Sequence, residues 1–123
     1  MGEHLRLLMA EDNEINRKLA DLLFKRQGLN LDFAENGEIA LQKVKEHKYD
    51  LVFMDIEMPV MSGLEATEAI RRDLGDSAPP IVALTAHAMD GDRERFMEAG
   101  MTDYLTKPID IAALNAIIDN HRA

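Results

Sequence analysis

The sequence predicts a single doubly wound α/β domain over residues 1–123, a five-stranded parallel sheet covered by five helices, and two observations carry that reading. Short apolar runs alternate with amphipathic segments five times, and several of the runs are too continuously apolar to have a solvent face. Repeated β-then-α units joined by short connections build such a sheet, and its commonest five-strand order is 2-1-3-4-5.

The elements follow in chain order. LRLLMA (5–10) reads as the first strand, and Ile15, Leu19, Leu22 and Leu23 form the apolar stripe of the first helix. LNLDFA (29–34) is the second strand, followed by a helix carrying Ala40, Leu41 and Val44. DLVFM (50–54) is the third strand. PIVALT (80–85) is the fourth, opened by Pro79-Pro80, where a missing N–H costs least. DGDRERF (90–96) reads as the solvated start of a helix, DYLT (103–106) as the fifth strand, and Leu114, Ile117 and Ile118 mark the last helix. Gly28, Gly37, Gly63, Gly75 and Gly100 fall at or near the proposed helix ends. The strand order is that of flavodoxin-like folds.

Composition narrows the functional classes. There is no cysteine, which excludes disulfides and thiolate metal sites and fits a reducing, cytoplasmic compartment. No stretch approaches the ~20 apolar residues of a membrane span. A net charge of −9 argues against nucleic-acid binding by the chain alone, since phosphate contacts need clustered Lys and Arg. The expected state is a monomer or weak dimer.

In the 2-1-3-4-5 order, strands 1 and 3 are neighbours at the topological switch point, and ligands bind there beyond the carboxyl ends of the strands. Strand 1 runs into Glu11-Asp12, strand 3 into Asp55, strand 4 into Thr85 and strand 5 into Lys107-Pro108. Three carboxylates in one crevice repel each other unless a cation lies between them. Oxygen ligands without cysteine or clustered histidine point to Mg2+ or Mn2+. A lysine opposite the acids can bind an added anion, and a threonine hydroxyl can donate to it. Phosphoryl fits that anion. The chain has neither G-x-x-x-x-G-K nor G-x-G-x-x-G, so no nucleotide is held and the phosphoryl group must come from elsewhere. That leaves Asp55 as a carboxylate acceptor.

Four blocks, MAEDN, MDIEMPVMSG, ALTAHA and DYLTKPI, resemble in order the signature blocks of response-regulator receiver domains. The resemblance implies Asp55 as phosphoacceptor and Glu11, Asp12 and the Glu57 backbone carbonyl as ligands of the cation. It also implies Lys107 as phosphoryl clamp, Thr85 as switch hydroxyl, Tyr104 as switch aromatic, and a cis Lys107-Pro108 bond. EDNEIN and LTAHAM are more similar to receivers of hybrid sensor histidine kinases than to those joined to DNA-binding domains. The implied partner is a histidine kinase or histidine phosphotransfer domain. It would dock on a rim of Asn13, Ile15, Asn16 and Leu19 with Pro108 and Ile109. Glu57 and His87, two residues beyond Asp55 and Thr85, are expected to set the lifetime of the phosphoryl group.

Plainer readings exist for each residue alone. Asp12 or Asn13 can cap the first helix, Thr85 is a good strand former, Tyr104 suits a half-buried core position, and Lys107 could be a solvated charge. Two other classes share the fold. A phosphohydrolase with an Asp nucleophile needs a lid, for which the chain has no residues to spare. A flavin-binding module wants a Ser/Thr-rich phosphate loop after strand 1, where this chain has two acids.

Overall fold

The computed structural model describes residues 5–86, 89 and 91–121. Its five strands are β1 (Leu7–Ala10), β2 (Leu31–Ala34), β3 (Leu51–Asp55), β4 (Ile81–Thr85) and β5 (Asp103–Thr106). They pair in parallel in the order β2-β1-β3-β4-β5, so the predicted sheet forms with the predicted switch point between β1 and β3. The helices are α1 (Glu14–Arg26), α2 (Gly37–Glu46), α3 (Gly63–Leu74), α4 (Asp92–Ala99) and α5 (Ile111–Asn120).

Side chains of a strand alternate between the two sheet faces, which explains why the central runs are apolar throughout. Leu8, Ala10, Val52, Met54, Ile81 and Ala83 face α2, α3 and α4, where Val44, Ile70 and Phe96 meet them. Leu7, Met9, Leu51, Phe53, Val82 and Leu84 face α1 and α5, against Phe24, Leu114 and Ile118. Phe24 and Phe53 pack edge to face at 5.3 Å between ring centres. The edge strands differ, because β2 and β5 are only partly buried.

Local chemistry sets where the helices begin. Asn13, Asn36, Ser62 and Asp110 each accept a hydrogen bond from the N–H three residues on, the N-cap arrangement that satisfies otherwise orphaned donors. Ser62 and Glu65 complete a reciprocal capping box. Asn13, not Asp12, caps α1, which leaves the Asp12 carboxylate uncommitted to that role. Among the described α-helices, α4 alone has a glycine at its N-cap, Gly91 at φ 88°, and no side-chain cap.

Candidate functional site

The carboxyl ends of β1, β3, β4 and β5 surround a cleft of about 230 Å³ whose lining includes Glu11, Asp12, Asp55, Glu57, Thr85 and Lys107. The strands converge there because a parallel sheet puts every carboxyl end on one edge. Asp55 is the last residue of β3 and only 6% exposed, while Glu11, immediately after β1, is 2% exposed. Asp12 is exposed at the rim. One carboxylate oxygen from each of Glu11, Asp12 and Asp55 lies within 4.8 Å of the others.

Lys107 reaches both buried acids. Its Nζ donates to Glu11 Oε1 at 2.7 Å and to Asp55 Oδ2 at 2.9 Å. The lysine was expected opposite the acids. Its position between them follows from the β4–β5 pairing, in which the Lys107 N–H donates to the Thr85 carbonyl at 2.8 Å. The Lys107-Pro108 bond is cis.

The three groups shift each other unequally. Burial pushes Asp55 up to about 6, with the Glu11 charge adding to it, and the Lys107 and Glu57 N–H bonds recover only part. Burial also acts to raise Glu11, yet the Lys107 bond and the Asn13 N–H bring it below its ordinary value. For Lys107, burial is outweighed by its two carboxylate bonds, and its pKa rises. The mouth therefore holds Lys107 as a cation and Glu11 as an anion, with Asp55 ready to gain positive partners.

Two supports were invisible to motif reading. Arg17 Nη1 donates to the Glu11 carbonyl at 2.8 Å, bracing the β1–α1 turn. The Glu57 N–H donates to Asp55 Oδ1 at 3.1 Å, turning the β3–α3 loop back on the acceptor. An arginine four residues after Asn13 was the only sequence signal for the first. The second had none.

The remaining predicted residues fall on other surfaces. Asn16, Leu19, Pro108 and Ile109 line a second, more apolar cleft of about 370 Å³ that adjoins the first through Glu11 and Lys107. Ile15, 68% exposed, lies outside that lining, and Asn13 is exposed as the α1 cap. Tyr104 is half-buried against Phe96, ring centres 6.2 Å apart, and not in the acidic cleft. His87 lies outside the described residues.

Among the described residues no helix is long and apolar enough to cross a membrane. Residues 7–119 match the response regulator receiver domain family. The chain is 45% identical over 121 residues to hybrid signal transduction histidine kinase I of Dictyostelium discoideum, covering 93% of this chain and 7% of that protein. It is 41% identical over 116 residues to the sensor protein GacS of Pseudomonas syringae pv. syringae, covering 92% of this chain and 13% of that one. The chain thus spans a small part of these curated relatives. A receiver domain of a Pseudomonas aeruginosa PAO1 sensor histidine kinase, solved with magnesium coordinated in its active-site cleft, superposes with a TM-score of 0.85 at 35% identity, covering 96% of this chain and 97% of that one. A Saccharomyces cerevisiae response-regulator receiver, co-crystallised with its histidine phosphotransfer protein, gives 0.85 at 33% identity, covering 93% and 86%. The match runs from β1 almost to the end of α5 and so includes every strand end that builds the acidic mouth: this chain belongs to the response regulator receiver domain family of two-component signalling.

Proposed function

We propose that this receiver takes a phosphoryl group from a phosphohistidine onto Asp55 and so changes a docking surface. The observation that supports it most is the bridging of two buried carboxylates by Lys107 at 2.7 and 2.9 Å. An Asp55 oxygen attacks phosphorus in line, the P–N bond to the donor imidazole breaks, and the imidazole leaves with the bond's electron pair and takes up a proton. Lys107 already carries the charge needed beside the incoming oxygens, so its ammonium can turn from Asp55 to the phosphoryl group without being created for the task.

The donor set fits a hard divalent cation. Glu11, Asp12 and Asp55 offer only oxygens, within 4.8 Å of one another, and excess negative charge remains after Lys107 is counted. They and the Glu57 backbone carbonyl would hold Mg2+ or Mn2+, which neutralises acids and phosphoryl oxygens when bound.

The donor would be a histidine kinase or a histidine phosphotransfer domain, docking on Asn13, Ile15, Asn16 and Leu19 with Pro108 and Ile109. Ile15 and Leu19 are 68% and 61% exposed beside the mouth, apolar area with a use in transient binding. Thr85, on the cleft wall, would follow the phosphoryl group, and Tyr104 would resettle against Phe96 as the output surface changes. Glu57, exposed at the mouth, would tune hydrolysis together with His87.

Acetyl phosphate with Mg2+ tests the reading. A single phosphoryl adduct on the intact protein, absent in Asp55→Asn and without added chelator effects on folding, is the expected mass change. An adduct that survives in Asp55→Asn would move the acceptor elsewhere.

A further inference from the structure

The loop between β3 and α3 carries Glu57 and bends through a conformation that its own sequence disfavours. Val60 has φ 70°, in the left-handed region, where a β-branched residue is an outlier. The Met61 N–H donates to the Pro59 carbonyl at 2.7 Å, so Val60 is the centre of a γ-turn of the rare positive-φ kind. Such a turn persists only where its surroundings over-determine it. Val60 is 75% exposed, and packing of its own side chain supplies little of that support.

Support comes from a different β-then-α unit. The N–H of Gly37, first residue of α2, donates to the Met61 carbonyl at 3.1 Å. A first-turn N–H has no acceptor within its helix, so α2 loses nothing by giving it to the loop. The approach leaves no room for a side chain. A Cβ at Gly37 would lie 2.4 Å from the Met61 carbonyl oxygen and 3.0 Å from both the Ser62 carbonyl oxygen and the Ala66 methyl. Two of these neighbours are backbone, which cannot rotate aside, so a larger residue must displace the loop or the start of α2.

The other end of the loop is tied to the acceptor. The Gly63 N–H donates to the Ile56 carbonyl at 3.0 Å, and the Glu57 N–H to Asp55 Oδ1 at 3.1 Å. Glu57 is thus suspended between an anchor at Asp55 and an anchor at Met61, and α2 provides the second.

We propose that Gly37 is a positioning residue for the cation site: through the Met61 carbonyl it holds the Val60 turn, and with it the Glu57 carbonyl, in the arrangement that receives the cation. The inference rests on the Mg2+ site proposed above. Coupling of this kind is reciprocal, so a bound cation should in turn tighten the Gly37–Met61 bond.

Gly37→Ala is the test, read by Mg2+ titration and by amide hydrogen exchange of the metal-free protein. We expect Mg2+ to bind at least five-fold more weakly and the Met61 amide to exchange faster. Ala40→Gly is the matched control, since it weakens α2 from its interior and leaves the Gly37 contact in place. Its Mg2+ affinity should equal the parent's. In a Val60→Gly background, where the strained side chain is gone, the penalty of Gly37→Ala should shrink. An affinity within two-fold of the parent overturns the inference, and so does an equal loss in Ala40→Gly. Should Gly37→Ala not fold, the parent protein decides: Mg2+ should slow exchange at the Gly37 amide but not at Ile39, whose N–H is bonded to Asn36 Oδ1. No slowing at Gly37 overturns the inference. Failure of the metal reading itself has a separate signature, a parent that does not bind Mg2+ or an Asp12→Ala variant that binds it as tightly.

Discussion

Two lysines of this chain bond carboxylates at nearly equal distances, and the acids respond in opposite directions. Lys45 lies 2.7 Å from Asp73 Oδ2 on the α2–α3 surface, with Arg72 Nε 3.1 Å from the other oxygen. Lys107 lies 2.9 Å from Asp55 Oδ2 in the acidic mouth. The Lys45 bond, helped by Arg72, lowers the Asp73 pKa. Asp55 rises to about 6, because burial and the Glu11 charge outweigh the same kind of bond. A short ion pair therefore does not say whether an acid is stabilised. The water it has lost and the other charges nearby decide that.

The largest effect should come from removing the cation of the buried set. Lys107→Met keeps the apolar stem, yet leaves Glu11 and Asp55 facing each other. Acetyl phosphate labelling should fall by about 100-fold or more, the scale for losing one charge-stabilising donor. Unfolding in urea with chelator should show a cost of about 2 kcal/mol at pH 8, reduced below the full buried-pair penalty because the cleft is open to water. That cost should fade by pH 5. With its folded pKa raised further, Asp55 contributes stability at low pH that is lost as pH rises through that value. An equal cost at both pH values would mean that Lys107 matters through packing.

Asp55→Asn sharpens the comparison from the other side. In the parent, the folded pKa of about 6 stands above the ordinary 3.8. The favourable contribution is complete below 3.8 and lost as pH rises through 6. The metal-free variant should therefore be more stable than the parent at pH 7.5, by about 1–3 kcal/mol, and the advantage should vanish near pH 4. Glu11 works in the opposite sense, its depressed pKa giving stability that is lost as pH falls, but it is present in both proteins. Melting curves in chelator at the two pH values measure the difference. A variant no more stable at pH 7.5 would break the claim that Asp55 is held at a cost.

The smallest effect belongs to Asp73. Its folded pKa is depressed, so its contribution is present at neutral pH and lost on acidification below the ordinary value of 3.8. Asp73→Asn should shift Tm near the limit of detection at pH 7, and 1 M salt should remove even that. A shift as large as that of Asp55→Asn would show that the exposed pair is not screened as its position requires.

The fold was largely legible because two signals agreed. Continuous apolarity in LVFM and IVAL demanded burial on both faces, and helix stripes supplied the layers that bury them. The ends were less legible: β1 starts at Leu7 and β2 at Leu31, each two residues later than predicted, while β3 extends one residue further to include Asp55. Apolar pattern marks where a strand is buried, and ladder pairing marks where it begins and ends. LNLDFA and DYLT read much like the central runs, but order placed them at the edges, where Asp32 and Thr106 meet water. In the mouth, the gathering of Glu11, Asp12, Asp55, Thr85 and Lys107 was readable from strand ends alone. The bridging by Lys107, the brace from Arg17 and the Gly37–Met61 contact were not.

What the sequence by itself determined is which chemistry reaches the mouth. Side-chain type and distance from an apolar run are local properties, and a parallel sheet converts them into a common location without further information. Tertiary structure alone decided how those groups share charge and what holds their backbone. Lys107 meets Glu11 across 96 residues of chain, and Gly37 meets Met61 from a neighbouring unit. With Glu11 2% and Asp55 6% exposed, burial raises both acids, and the bonds from Lys107 and the Asn13 N–H reverse it for Glu11 alone, so the same carboxylate chemistry responds with opposite sign. Dielectric surroundings and backbone approach are sums over the whole packed chain, and no single stretch of sequence contains them.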